Sequence, residues 1–402
     1  MNPNRSQLSS TNPMPRRAAL AGLFFAAAAP LISRAQEPAF KVYGKADPSA
    51  PIPISLSGFT GEVATTLRFD LEVAGCAVVS AEQAAVLVHG TNGARLEGFV
   101  SDRAKNYLLS KAYTGASQRQ LAHAFADDVI FALTQTRGIA RTQVAFKVKA
   151  ANNPGEIYVA DYDGHAAAPI TADHAIIAAP SWGPGSKWLA YTSYKLNNAD
   201  VFSHNLDTGE RHVVARYGGS NLSPSVAPGG RLVAMILSKG GKPDLYVADI
   251  HGRGLQQLTR SREGVASPCW SPDGQTICYV SSDDGPAQLY RIGANGGAAQ
   301  RIRTTGVFNA TEPDWSPDGK WIAVTTQRGG GFEICTVPAA GGDAQSLGTG
   351  QDATWAPNSR TLMFCKRGRG GPLSLSLLDV PTKRVKDVPL NLGNCSQPTW
   401  AR

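Results

Sequence analysis

Beyond its first 35 residues the sequence lacks any hydrophobic run of the roughly 20 residues that a membrane-spanning helix needs. It also lacks a His-Glu-x-x-His motif, a Gly-x-Ser-x-Gly motif and any cysteine spacing typical of zinc. The seven histidines are scattered along the chain. We therefore expect no transmembrane span, no metal site, no cofactor and no enzymatic activity.

Neither sign of charge is in large excess once the N-terminal 35 residues are set aside. Residues 1–35 combine four arginines, an apolar stretch of about a dozen residues and a Ser33-Arg-Ala35 cleavage site, which is typical of a secretory signal peptide. Paired Arg16 and Arg17 leave both the Sec and the twin-arginine route open. Without these 35 residues the chain has 39 − 4 = 35 basic and 31 acidic side chains, a net charge of +4. So mild an excess argues against a nucleic-acid partner.

An exported protein can form disulfides, and the sequence has six cysteines. Cys269 and Cys278 lie symmetrically about a predicted tight turn at Asp273-Gly274. We expect them to face each other across two strands. Whether they form a cross-strand bridge is left open by the sequence.

The second half of the sequence contains one short motif that is repeated several times. Each copy has a small or polar residue, an apolar anchor, a Pro-Asp-Gly-like turn and an apolar run, as in Pro268-Cys-Trp-Ser-Pro-Asp-Gly274. Steps of 44, 44, 45, 40 and 45 residues separate the anchors, which are Trp182, Val226, Trp270, Trp315, Trp355 and Trp400. A period of about 40–45 residues with four short strands per unit is typical of a β-propeller. We expect the tryptophans to pack between blades.

The repeat count predicts six blades. The segment after residue 141 is a repeat without its inner strand, whereas the chain ends on an inner strand without the rest. Pairing of these two fragments, with Trp400 beside Val144, would complete a sixth blade and remove two open sheet edges.

Residues 36–140 have a different pattern. Short apolar strands alternate with two helical segments, one near residues 62–74 and one over residues 118–134. The sequence therefore predicts three regions: a signal peptide (1–35), a small α/β domain (36–140) and an all-β six-bladed propeller (141–402).

His123 and Asp127 share a face of the second helix, and we interpret them as a helix-surface pair rather than an acid/base pair.

This organisation resembles the TolB family. The resemblance spans the mature chain and is most specific at the domain junction, in Leu121-Ala-His-Ala-Phe-Ala-Asp127 and Gly138-Ile-Ala-Arg-Thr-Gln-Val-Ala-Phe146. Tyr158-Val-Ala-Asp-Tyr-Asp-Gly164 is similar to the family's first blade. The resemblance implies a monomeric, non-enzymatic periplasmic protein of the Tol–Pal system, which maintains the outer membrane and assists constriction at cell division.

The resemblance also implies two binding surfaces. One is an N-terminal segment that contacts a TolA-like inner-membrane protein, here Phe40, Lys41, Val42 and Tyr43. Its alternation suits addition to a sheet edge, although an ordinary first strand would look the same. The other is the propeller face whose loops lead into the inner strands, where the family binds a Pal-like lipoprotein. The corresponding residues are Ser220, Asn221, Ala266, Ser267, Asn309, Thr311, Glu312 and Asp352.

Two alternatives remain. Ser220 and Ser267 stand where the family often has a histidine and a glutamate, so this interface has diverged. The chain could therefore be a periplasmic propeller that binds glycans or peptides. It could also be a propeller hydrolase, which would need paired carboxylates or metal ligands in its central channel.

Overall fold

The computed structural model describes residues 48–150, 154–368 and 371–402. The predicted signal peptide and the segment Phe40 to Tyr43 lie outside these residues. Among the residues described, no helix combines the length and hydrophobicity needed to cross a bilayer.

The N-terminal part is a five-stranded mixed sheet with two helices. Its elements are β1 (Ile52–Ser57), α1 (Gly61–Val73), β2 (Cys76–Val78), β3 (Val86–Asn92), β4 (Leu96–Ser101), β5 (Tyr107–Tyr113) and α2 (Gln118–Thr134). The strand order is β2-β1-β3-β4-β5, with β1 parallel to both neighbours and β3, β4 and β5 antiparallel. Ser117 caps α2, accepting a hydrogen bond from the Gln120 amide.

Both helices bury their apolar stripes against this sheet. Leu67 and Leu71 of α1 and Phe125 of α2 are fully buried in one cluster with Val88 and Val100 of the sheet. The cluster continues into the propeller and includes residues of the first and sixth blades. Division of the chain into residues 36–140 and 141–402 stays a prediction, because the hydrophobic core does not separate there.

Six four-stranded antiparallel sheets follow. Blade 1 has β6 (Gln143–Lys149), β7 (Glu156–Asp161), β8 (Ala168–Pro169) and the last strand β31 (Asn394–Trp400). Blade 2 has β9 (Ile177–Trp182), β10 (Trp188–Ser193), β11 (Asp200–Asn205) and β12 (Arg211–Ala215), and blade 3 has β13 (Asn221–Val226), β14 (Leu232–Leu237), β15 (Asp244–Asp249) and β16 (Gln256–Gln257). Blade 4 has β17 (Val265–Trp270), β18 (Thr276–Ser281), β19 (Gln288–Gly293) and β20 (Gln300–Arg301). Blade 5 has β22 (Thr311–Trp315), β23 (Trp321–Arg328), β24 (Gly331–Pro338) and β26 (Gln345–Thr349), and blade 6 has β27 (Gln351–Trp355), β28 (Thr361–Arg367), β29 (Leu373–Asp379) and β30 (Arg384–Asp387). A parallel pair, β21 (Thr304–Thr305) with β25 (Gly342–Asp343), lies beside them.

The inner strands contact one another in a closed ring, in the order β9, β13, β17, β22, β27, β31 and back to β9. This confirms the predicted fold class, a six-bladed propeller preceded by a small α/β region. We call the side at which the chain enters each inner strand the upper face. The tight turns that follow the inner strands lie on the lower face.

Inner-strand tryptophans pack between neighbouring blades, as the repeat predicted. The five on inner strands are each at most 7% exposed. Two of them also bond across blades. Trp270 Nε1 of blade 4 donates to Ser225 O of blade 3 at 2.9 Å, and Trp182 Nε1 of blade 2 donates to Thr399 O of blade 1 at 3.1 Å.

Ring closure also agrees with the sequence. Strand β31 pairs antiparallel with β6, and Trp400 lies opposite Val144. The Trp400 indole donates to Thr142 Oγ1 at 2.8 Å and stacks on Tyr162 with ring centroids 6.3 Å apart. Cys269 and Cys278 face each other across β17 and β18 as expected, and both are free thiols.

Replacing Trp400 by alanine is expected to destabilise the whole propeller. The change removes a side chain that is 2% exposed, together with its hydrogen bond and its stacking contact. We expect the free energy of unfolding to fall by about 3–5 kcal/mol in a urea titration. Leu232→Ala, at an exposed position on the lower face, is the control. A loss below about 1 kcal/mol for Trp400→Ala would show that closure does not stabilise the ring.

Candidate functional site

A bulge at the same place in every inner strand shapes the central channel. Each bulge contains one residue with a left-handed backbone, with φ between 49° and 56°. The six residues are Ala179, Ser223, Ser267, Glu312, Asp352 and Gln397. Five of them precede a proline, and each ladder shifts register near this point. Such a conformation costs a non-glycine residue free energy, so its sixfold recurrence is a property of the repeat rather than a local accident.

These bulges line a cavity of about 230 Å³ to which all six inner strands contribute. On one side of it, a relay of hydrogen bonds passes from blade to blade. Glu312 Oε2 accepts from the Asp352 amide at 3.1 Å, and Asp352 Oδ2 accepts from the Gln397 amide at 2.9 Å. Gln397 Oε1 in turn accepts from the Ala179 amide at 3.0 Å. The relay therefore links blades 5, 6, 1 and 2.

Small, uncharged residues line the other side of the channel mouth. Ala179, Ser223 and Ser267 occupy the equivalent positions in blades 2, 3 and 4. The Ser223 amide is satisfied by Thr192 Oγ1 at 3.2 Å instead of by a relay side chain. The channel mouth is thus asymmetric, with two carboxyl groups in one half and open space beside small residues in the other.

The Glu312 carboxyl group holds its proton more tightly than an exposed glutamate does. Burial, followed by the neighbouring Asp352 carboxylate, raises the pKa of Glu312 to about 8, against the lowering effect of the Thr325 hydroxyl that donates to it. The protonated form of Glu312 is therefore favoured near neutral pH.

Substituting Glu312 should change the pH dependence of stability. The folded pKa of about 8 lies above the ordinary 4.5, so the folded state binds more protons than the unfolded state between those values. Stability of the wild-type protein should fall as pH rises through this window, and Glu312→Gln should flatten that slope. Chemical denaturation at half-unit steps from pH 4.5 to 8.5 measures it. Parallel curves for the two proteins would contradict the raised pKa of Glu312.

The predicted upper-face residues differ in what they present to solvent. Ala266 and Asn309 are exposed, and Ser220 and Thr311 are half-buried. Asn221 is fully buried, because its amide donates to Ala199 O at 2.8 Å and Tyr217 O at 3.1 Å. It shapes the loop that carries Ser220 and presents no surface to a partner. Whether the exposed residues bind a partner stays a prediction.

Several residues of this region were missed from the sequence. Ala179 and Gln397 belong to the ring of bulges, and the proline that follows each of them was a usable signal. Exposed Phe308 and Phe332 gave no such signal, because surface apolar residues look like core residues in a strand pattern.

A second cluster of ionisable groups joins the helices to blade 1. His123 Nδ1 of α2 lies 2.8 Å from Asp70 Oδ2 of α1, and His123 Nε2 lies 3.6 Å from Asp163 Oδ2 of the loop after β7. Tyr162 donates to Asp70 Oδ1 at 2.5 Å, and Arg119 pairs with Asp163. All three members of the Asp70–His123–Asp163 group are buried.

The interpretation of His123 and Asp127 as a helix-surface pair is wrong. His123 is 4% exposed and Asp127 is 7% exposed. Asp127 accepts from the Ala140 amide and from Arg141 Nε, each at 2.8 Å, so it holds the segment that leads into blade 1. Helical spacing placed both residues on one face, but they are buried because helix α1, the segment before blade 1 and the loop after β7 pack against that face.

Donor atoms of Asp70, His123 and Asp163 lie within 4.8 Å of one another, as metal ligands do. The surroundings favour an ion network instead, because the Arg119 cation already neutralises Asp163 and Tyr162 donates to Asp70. Burial opposes a charged imidazole, but the Asp70 hydrogen bond and the two carboxylates raise the pKa of His123 overall. Burial also raises the pKa of Asp70, despite hydrogen bonds from His123 and Tyr162.

These directions predict that His123 stabilises the junction when it is protonated. A raised histidine pKa contributes stability below the ordinary value of 6.5 and loses it as pH rises through the folded value. The raised Asp70 pKa has the same sign. Stability of the wild-type protein should therefore decline from pH 6 to pH 9 more steeply than that of His123→Gln, measured by thermal unfolding. An identical decline in both proteins would show that His123 carries no linked proton.

Fold and channel together define a class: a propeller of non-identical blades, with a rigid upper face around a partly acidic channel, attached to a small α/β region. A model of the PD40 family, described as the TolB beta propeller domain, matches residues 131–402. The chain belongs to this family.

Curated relatives agree. The chain is 40% identical over 113 residues to the Tol-Pal system protein TolB of Aromatoleum aromaticum, covering 28% of this chain and 26% of that protein. It is 37% identical over 109 residues to that of Actinobacillus pleuropneumoniae, covering 27% and 26%. These matches span about a quarter of the relatives' length.

Solved structures show the same fold. The crystal structure of TolB from Acinetobacter baumannii superposes with a TM-score of 0.79 at 22% identity, covering 88% of this chain and 96% of that one. At this identity the likeness concerns the fold alone.

Proposed function

We propose that the protein is a non-enzymatic periplasmic scaffold of the Tol–Pal system. In this role its upper face docks a Pal-like lipoprotein, and the segment Phe40 to Tyr43 engages a TolA-like inner-membrane protein. The N-terminal sequence of signal-peptide type supports export. The function would be to link the envelope layers, preserving outer-membrane integrity and assisting constriction at division.

The ring of six bulges is the observation that carries the proposal. Hydrogen bonds from these bulges join blades 5, 6, 1 and 2 at the channel mouth, so a partner would meet a preformed surface there. Rigid loops on a closed scaffold lower the entropy lost on docking. The mixture of Asn309, Thr311 and the Glu312–Asp352 pair suits a polar, hydrated interface.

A binding experiment with the full mature chain tests both surfaces. Asn309→Ala combined with Thr311→Ala should weaken binding of a purified Pal-like lipoprotein domain by about 10-fold in isothermal titration calorimetry, because both residues lie on the upper face in the segment that leads to Glu312. Val385→Ala, on an outer strand of blade 6, is the control. Deleting residues 40–43 should abolish binding of the TolA-like protein and leave lipoprotein binding intact.

Other outcomes would point elsewhere. Equal loss of both partners on deleting residues 40–43 would refute the division of labour between the two surfaces. If the wild-type chain captured only peptidoglycan fragments from envelope extract, the alternative of a glycan- or peptide-binding propeller would replace the proposal.

The Glu312–Asp352 pair favours a hydrolase as the second candidate, because two coupled carboxyl groups in a channel resemble an acid/base pair. Their oxygen atoms already accept hydrogen bonds from the Asp352 and Gln397 amides, which suits a structural role better. A hydrolase substrate screen decides the matter: activity that Glu312→Gln abolishes would establish catalysis in the channel.

A further inference from the structure

Exposed apolar side chains are grouped on the upper face. Nine large hydrophobic side chains are exposed among the described residues, and four of them form two pairs there. The first pair is Phe308 with Phe332, exposed by 56% and 49%. The second is Ile176 with Tyr194, exposed by 52% and 37%. The other five lie elsewhere, on the N-terminal part, on outer strands or on the lower face.

Backbone hydrogen bonds hold each pair in place. The Gln327 amide donates to Phe308 O at 3.0 Å, and Gln327 is the register partner of Phe332. The two phenylalanines therefore flank one residue at the upper end of blade 5. In blade 2, the Tyr194 amide donates to Ile176 O at 2.9 Å. Both pairs lie at the ends of strands rather than in long loops, so their positions are fixed in the free protein.

The two pairs lie on opposite sides of the channel mouth. Blades 2 and 5 are three steps apart in a ring of six, in the inner-strand order β9, β13, β17, β22. Between them lies the cavity lined by Glu312 and Asp352. Asn309 Nδ2 donates to Gln327 Oε1 at 3.3 Å, which connects the apolar pair of blade 5 to the residues predicted to bind a partner.

We propose that these two pairs are the apolar anchors of the upper-face interface, and that its partner is a folded protein domain with two apolar patches on either side of a centre rich in hydrogen-bond donors. The inference rests on the proposed docking function. It adds the residues that carry the affinity and the shape that the lipoprotein partner must have. Aromatic side chains in the middle of an interface contribute most of its binding energy, whereas polar neighbours mainly orient the partner.

A lipid surface fits these anchors less well than a protein. Apolar residues that insert into a membrane are normally accompanied by lysine and arginine, which attract anionic headgroups. Here the cations beside the anchors are already paired with acids, Lys195 with Asp173 and Arg328 with Glu333. The channel mouth between the anchors is lined by Glu312 and Asp352, whose oxygen atoms suit hydrogen-bond donors of a protein better than anionic headgroups.

Two double variants of the full mature chain test the proposal: Phe308→Ala with Phe332→Ala, and Ile176→Ala with Tyr194→Ala. Binding of the purified Pal-like lipoprotein domain is measured by isothermal titration calorimetry, after wild-type binding has been established. We expect each double variant to lose at least about 10-fold in affinity. Phe131→Ala is the matched control, because Phe131 is 54% exposed on α2, and we expect its affinity to stay within about 2-fold of the wild type.

The outcomes separate this inference from the function on which it rests. Wild-type binding with unchanged affinity in both double variants would overturn the anchors while leaving the docking function standing. Loss in only one double variant would overturn the two-sided interface. Absence of wild-type binding would overturn both. Binding to phosphatidylglycerol vesicles that the double variants lose would assign the anchors to a membrane instead. Unchanged melting temperatures show that the variants still fold, as expected for exposed residues.

Discussion

Pairing of β31 with β6 is the constraint on which the rest of the molecule depends. Each blade is a four-stranded sheet that cannot cover its own two faces, so the blades are stable only when they are stacked in a ring. The ring closes because the two ends of the repeat region share one sheet, with Trp400 opposite Val144. Without this pairing, inner strand β31 and strand β6 would each present an open edge, and the channel would have a gap where Gln397 now completes the relay.

Closure also brings the C-terminal strand next to the buried cluster that joins the helices to blade 1. Trp400 stacks on Tyr162, and Tyr162 donates to Asp70 in the buried cluster between the helices and blade 1. The strand that completes the ring thus contacts the residues that hold the N-terminal part. Arg402, after this strand, lies at the lower end of the channel, where it donates to Trp315 O at 3.1 Å and pairs with Asp314.

The repeat explains the scaffold, and departures from it explain the site. Every inner strand has its bulge, yet only in blades 5, 6 and 1 does the side chain there accept a hydrogen bond from the next blade. Blades 2 to 4 have alanine or serine instead. A symmetric ring would present the same chemistry in six directions, whereas this one has a polar half and an open half. A specific partner needs such asymmetry to bind in one orientation.

Much of the fold followed from local patterns. Helix α2 ends where its four-residue apolar period ends, and the strands of blade 4 follow from turns whose proline and glycine set the backbone directly. Loops of the upper face could be located for the same reason. Their side chains could not be ranked, since a polar residue such as Asn221 can face inward when loop carbonyl groups satisfy it. Helical spacing likewise put His123 and Asp127 on one face without revealing that α1 and blade 1 cover it.

The sequence by itself therefore determined the number of blades, the strand that closes the ring and the loops that lead into the inner strands, because these depend on residue spacing and turn chemistry. Only the tertiary structure decided which carboxyl groups are buried together, which charges meet across elements and which apolar side chains stay exposed. Glu312 and Asp352 are 40 residues apart, and Asp70 and Asp163 are farther still. The raised pKa values of Glu312 and Asp70 arise from burial and from neighbours that a linear pattern does not bring together.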